Sequence, residues 1–218
     1  LSDDPDLREA LDASNLPQVL NALSKWPDVP AGGEVVDALA ERLVDEPALR
    51  NALDPIGMAN ALNALSKWLQ MPVCAATVEA LAARLSNDPG LCKALSSQGL
   101  TTVLNALCKW PEMPVCLAAA SALAERLSDD LVLRNALDSQ GFGNALNALS
   151  KWPDSPVCAA AASALAKRLT DDAGLRHAFD PINVSQALNA LSKWPGTQAC
   201  ESAIDVLAAT LANAPGLR

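Results

Sequence analysis

Two polar columns recur at one fixed spacing: Asn21, Asn63, Asn105, Asn147 and Asn189, and, four residues after each, Lys25, Lys67, Lys109, Lys151 and Lys193. Three residues before each asparagine stands Gln18, Asn60, Thr102, Asn144 or Gln186. Offsets of zero, three and seven lie on one face of a helix. Each copy therefore offers a variable amide or hydroxyl, a fixed asparagine and a fixed lysine. An asparagine amide both donates and accepts, so it can hold the two backbone groups of a bound peptide. A lysine is a compact point charge suited to a phosphate or a carboxylate. These fifteen residues are the candidate partner-binding ladder; the asparagines read also as a structural ladder whose amides satisfy groups of the neighbouring repeat, and the lysines as charges that favour the carboxyl end of the helix.

Catalytic chemistry has little to work with. His177 is the only histidine, and Asn51 and Asn135 fill its slot in other copies, so no Ser-His-Asp set forms. Gly141-Phe142-Gly143 reads as the start of a helix rather than a phosphate loop, and the paired acids Asp129-Asp130 and Asp171-Asp172 read as helix caps. Cys74, Cys116, Cys158 and Cys200 occupy one repeated position and no C-x-x-C pair occurs. Stacked helices lie about 8–10 Å apart, beyond the roughly 7 Å that a disulfide spans. Reduced, buried cysteines are expected, with no metal, no cofactor and no enzyme activity.

The elements that must position the ladder are themselves repeated. Leu62-Asn63-Ala64-Leu65-Ser66-Lys67-Trp68 has near copies ending at Trp26, Trp110, Trp152 and Trp194, so every step is 42 residues. A fixed period of this size marks a stack of helical units with one continuous core. Asp12, Asp54, Ser96, Asp138 and Asp180 stand as N-caps of a first helix, A, which runs to about the tryptophan. Pro27, Pro111, Pro153 and Pro195 stop it, and Pro30, Pro72, Pro114 and Pro156 open a second helix, B. An acidic corner such as Asn87-Asp88-Pro89 then starts a short helix C.

The spacing predicts an all-α fold: a right-handed α-solenoid of about five 42-residue three-helix repeats of HEAT/armadillo type, forming one domain over 1–218. The repeats are 12–53, 54–95, 96–137, 138–179 and 180–218, with 1–11 ending a preceding one. Leu69 in place of the proline predicts a looser corner, and Gly32 with Gly33 a weaker first helix B. The tryptophans are expected in the core. Arg42, Arg84, Arg126 and Arg168 on B, and Arg8, Arg50, Arg134, Arg176 and Arg218 on C, are expected to pair with nearby acids at the surface, with the B column alternatively lining the groove. Leu1 in place of a methionine, and the start of a further helix C at Asn213, predict a piece of a longer protein. A monomer is expected, with end-to-end contacts open to its uncapped ends.

The 218 residues are 50% hydrophobic with 3% aromatics and no tyrosine, a helix-favouring composition with ample core. No run of about 18 uncharged apolar residues suits a membrane span. The formal charge of −9 argues against a generally basic nucleic-acid binder. The ladder, however, is locally basic while the acidic corners lie at the other end of the unit, so single-stranded RNA stays open as a partner.

Ser-Lys-Trp-Pro at 24–27, 150–153 and 192–195, with Cys-Lys-Trp-Pro at 108–111 and Ser-Lys-Trp-Leu at 66–69, resembles the SKWP-repeat family. These are very large type III effectors of plant-pathogenic bacteria such as Ralstonia, built from 42-residue HEAT/armadillo-like repeats. The resemblance implies delivery by a type III secretion system into a plant cell and a role in virulence. Asn60-Ala61-Leu62-Asn63-Ala64-Leu65-Ser66-Lys67-Trp68 is similar, more weakly, to segments of octotricopeptide repeats, which bind RNA one base per repeat. By that likeness the Gln18, Asn60, Thr102, Asn144 and Gln186 column would read bases. The expected function is a non-catalytic recognition segment that binds a host plant protein along its groove. Single-stranded RNA held by the same ladder, with the lysines on phosphates, is the alternative, and a structural spacer is the third.

Overall fold

A computed structural model describes residues 8–26 and 29–212. Among them every regular element is a helix, and fourteen α-helices are placed. The helix C read from Asn213, and residues 1–7 of the preceding repeat's end read at 1–11, lie outside the described residues. By contact the chain divides into two compact units. One holds the chain up to Leu95 with Asn105–Ala119, the other Ser96–Leu104 with the chain from Ala120 on.

In the first unit α1 (Leu16–Leu23), α2 (Pro30–Asp45) and α3 (Pro47–Ala52) are followed by α4 (Pro55–Leu65), α5 (Pro72–Asn87) and α6 (Pro89–Ala94). Helix α1 packs on α4 and α2 on α5, so each helix lies against its own counterpart one period later. Leu16, Leu20, Met58, Leu62 and Leu65 are fully buried in this layer. The repeated cysteine lies in the same core, with Cys74 fully buried. The Thr77 hydroxyl lies between the B helices, 3.0 Å from the Ala40 carbonyl and 2.8 Å from that of Val73 in its own helix, and shares its one proton between them.

Helices α7 (Ser97–Leu107) and α8 (Pro114–Asp129) follow. In the second unit come α9 (Leu131–Asn135), α10 (Ser139–Leu149), α11 (Pro156–Asp171), α12 (Ala173–His177), α13 (Pro181–Leu191) and α14 (Gln198–Ala212). There α10 packs on α13 and α11 on α14, the same arrangement of counterparts.

The caps explain the boundaries. Asp54, Asp138 and Asp180 each accept the backbone N–H three residues on, at 2.6–2.7 Å, and Ser96 does so at 3.1 Å. Such a cap contributes about 1 kcal/mol. Asp88, Asp130 and Asp172 cap the short helices in the same way, at 2.9 Å. The first copy departs twice. Asp12 bonds the amides of Ser14 and Asn15 in a turn, so α1 starts only at Leu16. Glu46 makes no capping bond, because Arg42 holds its carboxylate at 2.6 Å and lowers its pKa.

Helix A is shorter than its spacing predicts. The α-helix ends at the leucine three residues before each tryptophan, as α4 does at Leu65. Beyond it Lys67 and Trp68 donate to carbonyls three residues back, which is a tightened turn. The serine hydroxyl helps make that turn: Ser66 donates to the Asn63 carbonyl at 2.7 Å. Leu69 does not loosen the corner, since Met71 bonds the Trp68 carbonyl just as Met113 bonds that of Trp110. Gly32 and Gly33 do not interrupt α2.

Candidate functional site

All five ladder lysines are exposed, and none is ion-paired among the described residues. Asn21, Asn63, Asn105 and Asn147 are half-buried, and Asn189 is exposed. Asn63 spends part of its capacity within the stack, for its amide donates to the side-chain oxygen of Asn21 at 3.2 Å. In the variable column Gln18 is exposed, while Asn60, Thr102, Asn144 and Gln186 are half-buried.

That variable column opens onto clefts. Gln18 and Asn60 line one of about 580 Å³ in the first unit, beside Ile56, Leu49 and Ala52. Thr102 and Asn144 line one of about 380 Å³ in the second unit, beside Gln98, Gln140 and Thr101. Gln18 corresponds to Thr102, Ile56 to Gln140, Gly57 to Gly141 and Asn60 to Asn144, each two periods on, so the same cleft occurs in both units. The charges on the walls are carboxylates, Asp12 and Asp54 in one and Asp138 in the other. No lysine, arginine or aromatic ring lines either cleft. From Ile56 to Lys67 is about 16 Å along the axis at 1.5 Å per residue, so acidic cleft and basic turn are opposite ends of one face.

The ladder as read from spacing therefore divides. Four of its variable residues, Gln18, Asn60, Thr102 and Asn144, belong to the clefts while Gln186 lies over Gly143; its asparagine tier is partly turned inward, and its lysine tier is exposed. A further column was missed: Ser14, Ile56, Gln98, Gln140 and Ile182, four residues before the variable tier and on the same stripe. Its signal was present in the chain, since the repeats differ in these first two turns and are nearly identical from Leu62 to Trp68 and its copies. Ile56 and Ile182 are 70% and 66% exposed, unusual for isoleucine.

The arginines have a different use from the surface ion pairs expected of them. On α3, α9 and α12, Arg50, Arg134 and Arg176 donate to the last carbonyls of the preceding B helix at 2.6–2.9 Å. Cys92 holds that slot in the second repeat, and its thiol bonds the matching carbonyl of Leu85 at 3.1 Å. On the B helices Arg42, Arg84 and Arg168 reach back to carbonyls at the end of the preceding helix C, those of Arg8, Arg50 and Arg134. Arg42, Arg126 and Arg168 also meet acids four residues on, which is the part of the expectation that holds. These side chains are fastenings of the stack.

Of the tryptophans expected in the core two are buried, Trp68 and Trp110 are half-buried, and one is exposed. Trp152 and Trp194 are 6% and 5% exposed, and Trp194 donates its ring N–H to the Pro153 carbonyl at 3.1 Å. Trp26, expected in the core, is 69% exposed. Its counterpart Trp68 approaches Gly32 and Gly33 of the repeat before it. Cys74 and Cys116 are buried, and burial pushes each thiol up to about 12. His177 is exposed, with Nδ1 2.6 Å from the Ala173 carbonyl. No cluster of three metal-ligating side chains occurs among the described residues, and no described helix is long and apolar enough to cross a membrane. No protein-family model matches the chain, nor does any curated protein or solved structure.

Proposed function

We propose that this chain is a non-catalytic recognition segment of a type III effector, binding a host plant protein along the face of its A helices. The architecture proposed with it is a right-handed α-solenoid of about five 42-residue three-helix repeats, one domain over 1–218. The observation that carries the reading is the recurring cleft. Two units present it in the same place, and each copy carries amides and hydroxyls that both donate and accept, joined in the first unit by an apolar wall. Fixed side chains bind the stack together, and the residues that differ between repeats face the clefts. That division suits a scaffold with an adaptable surface.

Single-stranded RNA remains the second reading because one exposed lysine stands at the same place in every repeat. The clefts speak against it. Modules that read single-stranded RNA stack bases on aromatic rings or arginine planes, and these clefts have neither.

Two variants separate the readings. One replaces the five lysines by alanine; the other replaces Gln18, Asn60, Thr102, Asn144 and Gln186 by alanine. Captured from plant extract, a protein partner is expected on the wild type and on the lysine variant, and lost from the second variant. Retention of a randomised single-stranded RNA pool at physiological salt, abolished by the lysine changes, would replace this reading with the RNA one.

A further inference from the structure

Gly57 and Gly141 sit at the same position of helix A, three residues after the capping aspartate, and each lies on the wall of its cleft. In the fifth repeat that position is Asn183, which is buried. Its side-chain oxygen lies 3.3 Å from where a Cβ on Gly143 would stand, and the Gln186 oxygen 3.0 Å from the same point. At that junction the Asn183 and Gln186 side chains close over a bare backbone. At Gly141 a Cβ would meet Leu137 at 3.6 Å and Thr101 at 3.7 Å, both ordinary contacts, whereas at Gly57 it would already press on Pro17 at 3.3 Å. Gly57 and Gly141 thus each border an open cleft, while Asn183 accompanies a filled junction.

We infer that the open clefts are side-chain subsites for an extended segment of a partner protein, with different preferences. The inference rests on the protein-binding reading above. The first cleft, with Ile56, Leu49 and Ala52 on its wall, takes an apolar side chain. The second, with Gln98, Gln140, Thr102 and Asn144, takes a neutral hydrogen-bonding or a cationic one. Charge complementarity decides the class. The ionisable wall groups are carboxylates with no cation among them, which disfavours acidic side chains and phosphates alike. The column beginning at Ser14 and the one beginning at Gln18 set what each subsite accepts.

The probe is a phage-displayed library of random peptides selected on the immobilised wild-type chain. Gly141→Asn copies the filled junction, and the Asp180–Asn183 pair shows that an asparagine fits beside the capping aspartate. Gln98→Ala with Gln140→Ala tests the same cleft through two exposed side chains, without touching the core. Ile56→Gln gives the first cleft the residue that the second has.

Selected peptides are expected to weaken about tenfold on either second-cleft variant, the loss of one or two hydrogen bonds. Ile56→Gln is expected to move selection from apolar towards amide or hydroxyl side chains. Peptides that bind every variant as tightly as the wild type would overturn the subsites and leave protein binding standing. A library from which nothing is enriched, alongside an RNA pool that is retained, would overturn both.

Discussion

Asn63 donates its side-chain amide to the side-chain oxygen of Asn21 at 3.2 Å, one period apart on neighbouring A helices. A residue that repeats like a ligand contact thereby bonds to its own counterpart. Asn21→Ala and Asn63→Ala are each expected to cost about 1 kcal/mol of stability, with a coupling energy of about 0.5–1.5 kcal/mol in the double-mutant cycle. Denaturant unfolding of the four proteins measures it. Strictly additive losses would mean that the contact carries no stabilisation.

Arg84 donates to the Arg50 carbonyl at 2.6 Å, and its removal leaves the end of a short helix without that donor. Arg84→Ala is expected to cost about 1.5–3 kcal/mol, as for hydrogen bonds to charged groups. Conversely, Cys92 stands where three other repeats have an arginine bonded to two carbonyls. Cys92→Arg is expected to stabilise by about 0.5–1 kcal/mol, as restoration of a repeat's consensus residue commonly does. Thermal melts of the two variants check both signs.

The repeated thiols should be inert. Cys74 and Cys116 are fully buried, with pKa values pushed up to about 12 by burial and, secondarily, by the nearby carboxylates of Asp37 and Glu79. The thiolate is the nucleophile, so at pH 8 a thiol reagent is expected to label neither in the native chain and both in guanidinium. Mapping labelled peptides by mass spectrometry distinguishes them from the other cysteines.

Asp172 caps α12 through the Leu175 N–H at 2.9 Å, with Arg168 close by, and its carboxyl lies below its ordinary value of 3.8. A depressed carboxyl stabilises the fold at pH above its unfolded value and loses that contribution as pH falls through the folded one. Asp172→Asn is therefore expected to be less stable than the wild type at neutral pH, the gap closing below about pH 3.8. A gap unchanged into acid would remove the cap's charge from the account.

Much of the fold was legible because its boundaries are local chemistry. Prolines at first-turn positions and side-chain caps at Asp54, Asp138 and Asp180 end and start helices wherever they occur. The helix A terminus was misjudged because the serine hydroxyl tightens the turn before the tryptophan, which hydrophobic spacing does not register. A sequence shows an arginine's charge but not its carbonyl partners, which lie six or seven residues back for Arg50, Arg134 and Arg176 and 34 residues back for Arg84 and Arg168. Of the candidate site, the variable amide column was visible. The isoleucine and glutamine column beside it repeats neither in type nor in polarity, so its only mark in the sequence is variation where the rest of the repeat is nearly constant.

A photoreactive benzophenone amino acid in place of Gln140, on the cleft wall, tests protein recognition most directly. Val132, exposed and outside both clefts, is the control position. Irradiated in plant extract, the chain labelled at 140 is expected to give an adduct of higher mass that resists ribonuclease and is digested by protease. The chain labelled at 132 is expected to give none. A ribonuclease-sensitive adduct at 140, or equal capture at both positions, would contradict recognition of a protein through the clefts.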